Sequence, residues 1–162
     1  MLEFVEAVAI ADIVAKDPEA SKRIDSNIDA IVPASWGIAG SIRNWGYVAL
    51  FMGSFGKYGD ASEPEFADRV CTGISNAASD ALTRARRRND ARVRRLLSAQ
   101  PVSRVRDGTD HTAVQLKMLD GQDHVVDWHA TLDAENPMLF PSTRQWLNGQ
   151  GGIPLKEFSG WK

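Results

Sequence analysis

The chain has 162 residues, enough for one domain that buries its own core without disulfides or a structural metal. Hydrophobic residues make up 43% and charged residues 25%, the balance of an ordinary globular protein. A net charge of −2 excludes a general attraction to nucleic acid or anionic membrane, so any such attraction has to be local.

The opening stretch MLEFVEAVAIADIVAKD is apolar but carries Glu3, Glu6 and Asp12. It has neither a basic n-region nor a small-residue cleavage site, so no cleavable signal peptide is expected. Leu2, Val5, Val8, Ala9 and Ile13 recur at helical spacing. Asp17-Pro18 then reads as the N-cap and first turn of a second helix, with Ile24, Ile28 and Ile31 on one face. Residues 34–55 are rich in Gly, Ala and aromatics and read as a buried helix. The longest apolar stretch, residues 44–56, is too short to span a bilayer as a helix, so a soluble chain is expected.

GKYGDASEP (56–64) reads as a loop, and Ser62, Pro64 and Glu65 open a further helix. That helix places Phe66, Val70, Ile74, Ala77 and Ala81 on one stripe. It either runs on through TRARRRNDARVRRLLSAQ or breaks near Asn89-Asp90, and Pro101 closes the helical region. Beyond Pro101 the period falls to about two. VSRVR, HTAVQLKML and HVVDWHATL read as strands, with turns at Asp107-Gly108 and Asp120-Gly121. The tail, 133–162, is loop-rich, with Ser142 and Gln145 capping one short helix that stops at Gly149. The whole reads as a single α+β domain over 1–162. A helical part (1–60) comes first, then a helix with an antiparallel sheet (62–132), then the tail.

All three histidines fall within residues 110–132, which also hold four aspartates. Cys71 is the only cysteine, so no intrachain disulfide can form. Taken alone it reads as a small buried hydrophobe. Its other reading is a thiolate nucleophile, which needs a base and a cation or helix N-terminus beside it. His111 opens a strand and can be that base. Asp127 lies in the apolar strand VVDWHA, where an unpaired carboxylate is costly, and can hold the imidazole in its tautomer. Trp128, next to it, can shield that hydrogen bond from water.

DHTAVQL resembles the Asp/Asn-His-Ala-Val strand of papain-like enzymes, and HVVDWHA resembles their following strand, which ends in an orienting Asn or Asp with a tryptophan close after it. The order Cys71, His111, Asp127 is also theirs. The compact spacings look most like papain-fold domains of bacterial toxins and effectors, of the mitogenic-toxin deamidase type and related effector proteases. The resemblance covers about residues 64–132. It implies a papain-like fold and a Cys71–His111–Asp127 triad with no metal and no cofactor. It further implies a protein substrate that is cleaved, deamidated or cross-linked at glutamine, a cognate immunity protein, and secretion or delivery by a specialised system. The glutamine that precedes the cysteine in papain proper has no counterpart in GDASEPEFADRVC. The oxyanion donors are then the Cys71 N–H and a second group, with Asn44 and Trp45 as candidates.

Register decides between histidines. If Asp120-Gly121 is a tight two-residue loop, 119 faces 122, 111 faces 130, and His111 and Asp127 point to opposite sides. A bulge or longer loop brings them to one side; otherwise His129 is the histidine on Asp127's face. A metal-dependent nuclease is the alternative from another class, with His111, His124 and His129 among Asp110, Asp123 and Asp127. Against it stand the lack of a helical HxxxH and of any Cys/His pairing. A non-enzymatic binding or immunity protein is a third reading. Seven arginines in 84–95 read as a solvated helix face or as a local basic patch; with little aromatic interleaving, nucleic acid is not the expected partner.

Overall fold

The computed structural model describes residues 1–31, 71–106, 109–128 and 135–161. The expected elements at 34–55, 56–64 and the helix start at Ser62–Glu65 lie outside them, as do Asn44, Trp45, Phe66, Val70 and His129. Two helices come first, α1 (Phe4–Lys16) and α2 (Pro18–Ile31), followed by α3 (Cys71–Arg87). A 3-10 turn (Ala91–Val93) leads into strands β1 (Leu96–Arg106), β2 (Thr109–Met118), β3 (Asp123–Asp127) and β4 (Met138–Phe140). A short helix α4 (Thr143–Leu147), β5 (Ile153–Pro154) and a 3-10 turn (Leu155–Glu157) finish the chain. The strands form one antiparallel sheet in sequence order, β1-β2-β3-β4-β5. Helices precede strands, the α+β plan read from the period change. Among the described residues no helix is long and apolar enough to cross a membrane.

Asp17 does two jobs. Its carboxylate accepts from the Ala20 and Glu19 N–H groups at 2.9 and 3.1 Å, capping α2 ahead of Pro18. It also pairs with the Arg84 guanidinium at 2.8 Å, tying α2 to α3. Burial pushes its pKa up, but the Arg84 and backbone hydrogen bonds and the Arg84 charge outweigh this and hold it below the ordinary value. Asp17→Ala removes cap and ion pair together, and a loss of about 2 kcal/mol in urea unfolding is expected. Because the native pKa is lowered, this contribution is present above the ordinary carboxylate range and disappears as the pH falls through the native value.

The arginine-rich run does not continue as helix. α3 stops at Arg87 because Asn89 takes a left-handed conformation, φ 56°. The Asp90 N–H then bonds the Ala85 carbonyl and the Asn89 N–H the Arg86 carbonyl, a Schellman ending. Residues 96–101, read as helical, are instead the first half of β1. Pro101 sits within this edge strand, across from Val114, where a missing N–H costs no ladder bond if it faces outward. The tail contributes β4 and β5 to the sheet as well as the expected helix, whose Ser142 side chain accepts from the Gln145 N–H.

The larger core lies between the helices and one sheet face. Ala77, Ala78, Ala81, Leu82 and Ala85 of α3 are fully buried against residues such as Val114, Leu116 and Val126. The run of alanines gives that helix a thin face, which lets it sit close to the strands. The opposite sheet face carries a smaller cluster of Ala113, Val125, Phe140 and Trp146, covered by α4. Asp123 holds α4 there, accepting from the Thr143 N–H at 3.0 Å.

The β2–β3 connection sets the register. Val114 pairs with Val126 and Lys117 with Asp123, and the Met118 N–H bonds the Gln122 carbonyl at 2.8 Å. The loop is therefore the three residues Leu119, Asp120 and Gly121, one longer than a tight Asp-Gly turn. Gly121 closes it with φ 85°, and the Asp120 side chain accepts from the Gln122 N–H at 3.0 Å. The extra residue reverses the parity of β3 relative to β2. Continuing the register puts Asp127 across from Ala113, two residues from His111 and on the same face.

Candidate active site

His111 is the third residue of β2, and Asp127 ends β3. The His111 Nε2 and Asp127 Oδ2 are 2.5 Å apart, the diagonal contact that the three-residue loop permits. Asp127 is 2% exposed and the His111 side chain 17%, so the pair is largely withdrawn from water.

Cys71, half-buried, is the first described residue of α3. Two hydroxyls one helical turn apart fasten this end of the helix beside His111. Ser75 donates to the Thr112 carbonyl at 3.0 Å, and the Thr72 and Thr112 hydroxyls share a hydrogen bond of 3.1 Å. Ser103 of β1 holds the Thr112 hydroxyl from its other side at 2.9 Å. His111 and Thr112 are the groups that act on the thiol and lower its pKa. Cys71, His111 and Asp127 thus meet at one place. None of the four serine and threonine residues was singled out in the sequence, although Thr72-x-x-Ser75 is a helical i, i+3 pair directly after the cysteine.

A second aromatic layer escaped the sequence reading. The fully buried Trp146 of α4 lies against His111, ring centroids 6.0 Å apart. Arg104 stands across from His111 in β1, places its guanidinium 4.6 Å from the centre of the Trp146 ring, and donates to the Trp146 carbonyl. Trp128, expected beside the His–Asp pair, is buried in the helix-side core cluster. Trp146 escaped notice because its contact joins positions 35 residues apart, 146 − 111, through α4.

Charge follows from this geometry. Burial pushes the His111 pKa down, but hydrogen bonds to Asp127 and Cys71, and their charges, outweigh it and raise the pKa to about 9. Burial pushes the Cys71 thiol up, but the His111 hydrogen bond and charge outweigh it, and the pKa is lowered. Both directions favour the same arrangement, a thiolate beside an imidazolium with a carboxylate behind it.

The two shifts act on stability in opposite senses. The raised His111 pKa contributes stability that is lost as the pH rises from 6.5 through about 9, whereas the lowered Cys71 pKa contributes stability that grows as the pH rises toward the ordinary thiol range. Cys71→Ser removes the second contribution. The native state then keeps a proton, through Asp127, that the unfolded state loses. Stability of this variant is expected to fall with rising pH above 6.5, by up to about 1.4 kcal/mol per pH unit, until the native histidine titrates. Urea unfolding of both proteins at pH 6, 7 and 8 checks it.

The remaining ionisable groups of the hairpin do not join the site. Asp123 is taken by the α4 N-terminus. His124 lies across from Leu116, on the opposite face of β3 from Asp127, and is 3% exposed. Neither of its ring nitrogens is hydrogen-bonded, and burial keeps its pKa low despite the nearby Pro141 carbonyl. Among the described residues no three His, Cys, Asp or Glu side chains converge as metal ligands. His129 and the Asp110 side chain lie outside those residues. No protein-family model, curated protein or solved structure matches the chain.

Proposed function

We propose that the chain is a cysteine hydrolase acting on amide bonds of a protein, with Cys71 as nucleophile, His111 as base and acid, and Asp127 as the group that orients and charges the imidazole. One observation carries this reading: a single imidazole is shared between a buried carboxylate at 2.5 Å and the only thiol, which lowers the thiol pKa. A merely structural cysteine has no use for such an arrangement. Separating His124 and Asp127 on opposite sheet faces removes support for the metal-nuclease alternative.

In this reading the Cys71 thiolate attacks the amide carbon and forms a C–S bond. His111 gives its proton to the departing nitrogen as the C–N bond breaks, leaving a thioester. With Nε2 held by Asp127, Nδ1 is the nitrogen that serves the thiol. Water then attacks the thioester, its proton passes to His111, and the thiolate leaves. The Cys71 N–H is the oxyanion donor this chemistry asks for first.

Attack on a backbone amide and on a glutamine side chain share this course. A protease has to bind an extended strand on both sides of the bond, whereas a deamidase needs only a slot for one side chain of a folded partner. Trp146, Arg104 and α4 cover the sheet face that bears His111, which favours the narrower approach and so deamidation. The experiment is intact-mass analysis of candidate partner proteins after incubation with the chain and with Cys71→Ser. A gain of about one dalton that depends on Cys71 supports deamidation. Two fragments from one bond show a protease. No Cys71-dependent change, together with an unreactive thiol, sinks the hydrolase reading.

A further inference from the structure

The end of α3 away from Cys71 carries a separate feature. Arg86, Arg87, Asn89, Asp90, Val93 and Arg94 line a half-open cavity of about 400 Å³. With 17 residues in α3, this cavity lies about 25 Å from Cys71 along the helix. Apart from Arg88, which is exposed and outside the wall, the arginines of this segment divide into two groups. Arg84, Arg92 and Arg95 are paired with Asp17, Asp12, Asp90, Glu6 and Asp120, and fasten α3 and β1 to the N-terminal helices and the β2–β3 loop. Arg86, Arg87 and Arg94 are exposed, and among the described residues none has a carboxylate partner. Asp90, the one acidic group among the described residues of the wall, is already engaged by the Arg92 guanidinium at 2.8 Å and by its N–H at 3.0 Å.

The favourable effect of cations near a helix C-terminus accounts for arginines there, but not for their meeting around one concavity. In addition, the Schellman bonds from Asn89 and Asp90 already satisfy the carbonyls of Ala85 and Arg86, so the arginine heads are not needed as caps.

We propose that this cavity binds a compact ligand bearing two or more phosphate groups, held by Arg86, Arg87 and Arg94. Planar guanidinium groups take phosphate oxygens two at a time, and three of them around one hollow match a cluster of phosphates. The volume is that of a small-molecule site. Among the described residues of the wall Val93 is the only apolar one and none is aromatic, so these residues offer nothing to hold a stacked base or an apolar ligand. The proposal is independent of the hydrolase reading.

Isothermal titration of inorganic tripolyphosphate into the full chain at low salt tests it. Saturable one-to-one binding is expected, weakening with added salt and by about tenfold or more in Arg86→Gln/Arg94→Gln. Arg94→Gln alone leaves α3 untouched and is expected to lose affinity several-fold, which keeps the test valid should the double variant fold poorly. The iodoacetamide rate at Cys71 should be the same in these variants. Sedimentation with phosphatidylcholine vesicles containing a phosphorylated inositol lipid distinguishes the source: vesicle binding that depends on the same arginines assigns a lipid headgroup, and its absence assigns a free phosphorylated compound. Failure to bind tripolyphosphate, or equal binding by wild type and variants, overturns the proposal. So does arginine-dependent capture of duplex DNA or an acidic protein without tripolyphosphate binding.

Discussion

At pH 6, iodoacetamide is expected to alkylate Cys71 at least about tenfold faster in the native chain than in His111→Ala. The imidazolium, with its pKa raised to about 9, favours the thiolate and lowers the thiol pKa from its ordinary value. Without the ring, burial is the leading influence on Cys71, and burial favours the neutral thiol. The native rate should therefore reach its plateau at lower pH than the variant's, which climbs toward pH 9 like that of a free or buried thiol. Thiolates of lower pKa are intrinsically weaker nucleophiles, which is why the expected ratio is smaller than the ratio of thiolate populations. Parallel curves for the two proteins, both rising through the ordinary thiol range, would refute the ion pair and with it the enzymatic reading.

The second large effect concerns Asp127. Asp127→Asn keeps an acceptor oxygen for Nε2 but removes the charge. His111 then loses the Asp127 contribution and keeps only that of Cys71 against burial, so its pKa should fall from about 9, and alkylation should shift toward alkaline pH, in the direction of His111→Ala. Stability separates the two substitutions. In His111→Ala the Asp127 carboxylate, 2% exposed, is left without its imidazolium, and a loss of about 3 kcal/mol is expected. In Asp127→Asn the histidine can simply become neutral, and the loss should be near 1 kcal/mol. The double variant should recover part of the His111→Ala loss, since no buried charge remains to be compensated. Chemical denaturation of the four proteins at pH 7 gives the coupling directly. A coupling near zero would mean that the short His111–Asp127 contact contributes nothing to the folded state.

Much of this arrangement was legible in the residues. Apolar spacing marked α1, α2 and α3, the capping chemistry of Asp17-Pro18 and Ser142 marked two helix starts, and the change of period after Pro101 marked the sheet. Those signals are local: they concern atoms within a turn or a strand pair, so the chain itself determines them. The three site residues were likewise visible, because a lone cysteine, a histidine at a strand start and an aspartate in an apolar strand are chemically conspicuous. The fate of residues 96–101 was not legible. LLSAQP carries no clear period, and only pairing with β2 makes it a strand.

Three further matters were decided by the tertiary structure alone. Whether His111 shares Asp127's face depended on a single residue of loop length, which Gly121 supplies through its positive φ. Which tryptophan covers the imidazole depended on where α4 docks, set by Asp123 at its N-terminus. Which arginines stay unpaired depended on where the carboxylates of α1, α2 and the β2–β3 loop came to lie. The physical reason is common to all three. Composition and period fix what each segment is, whereas register, docking and ion pairing join residues far apart in the chain, and their free energies exist only once those segments have met.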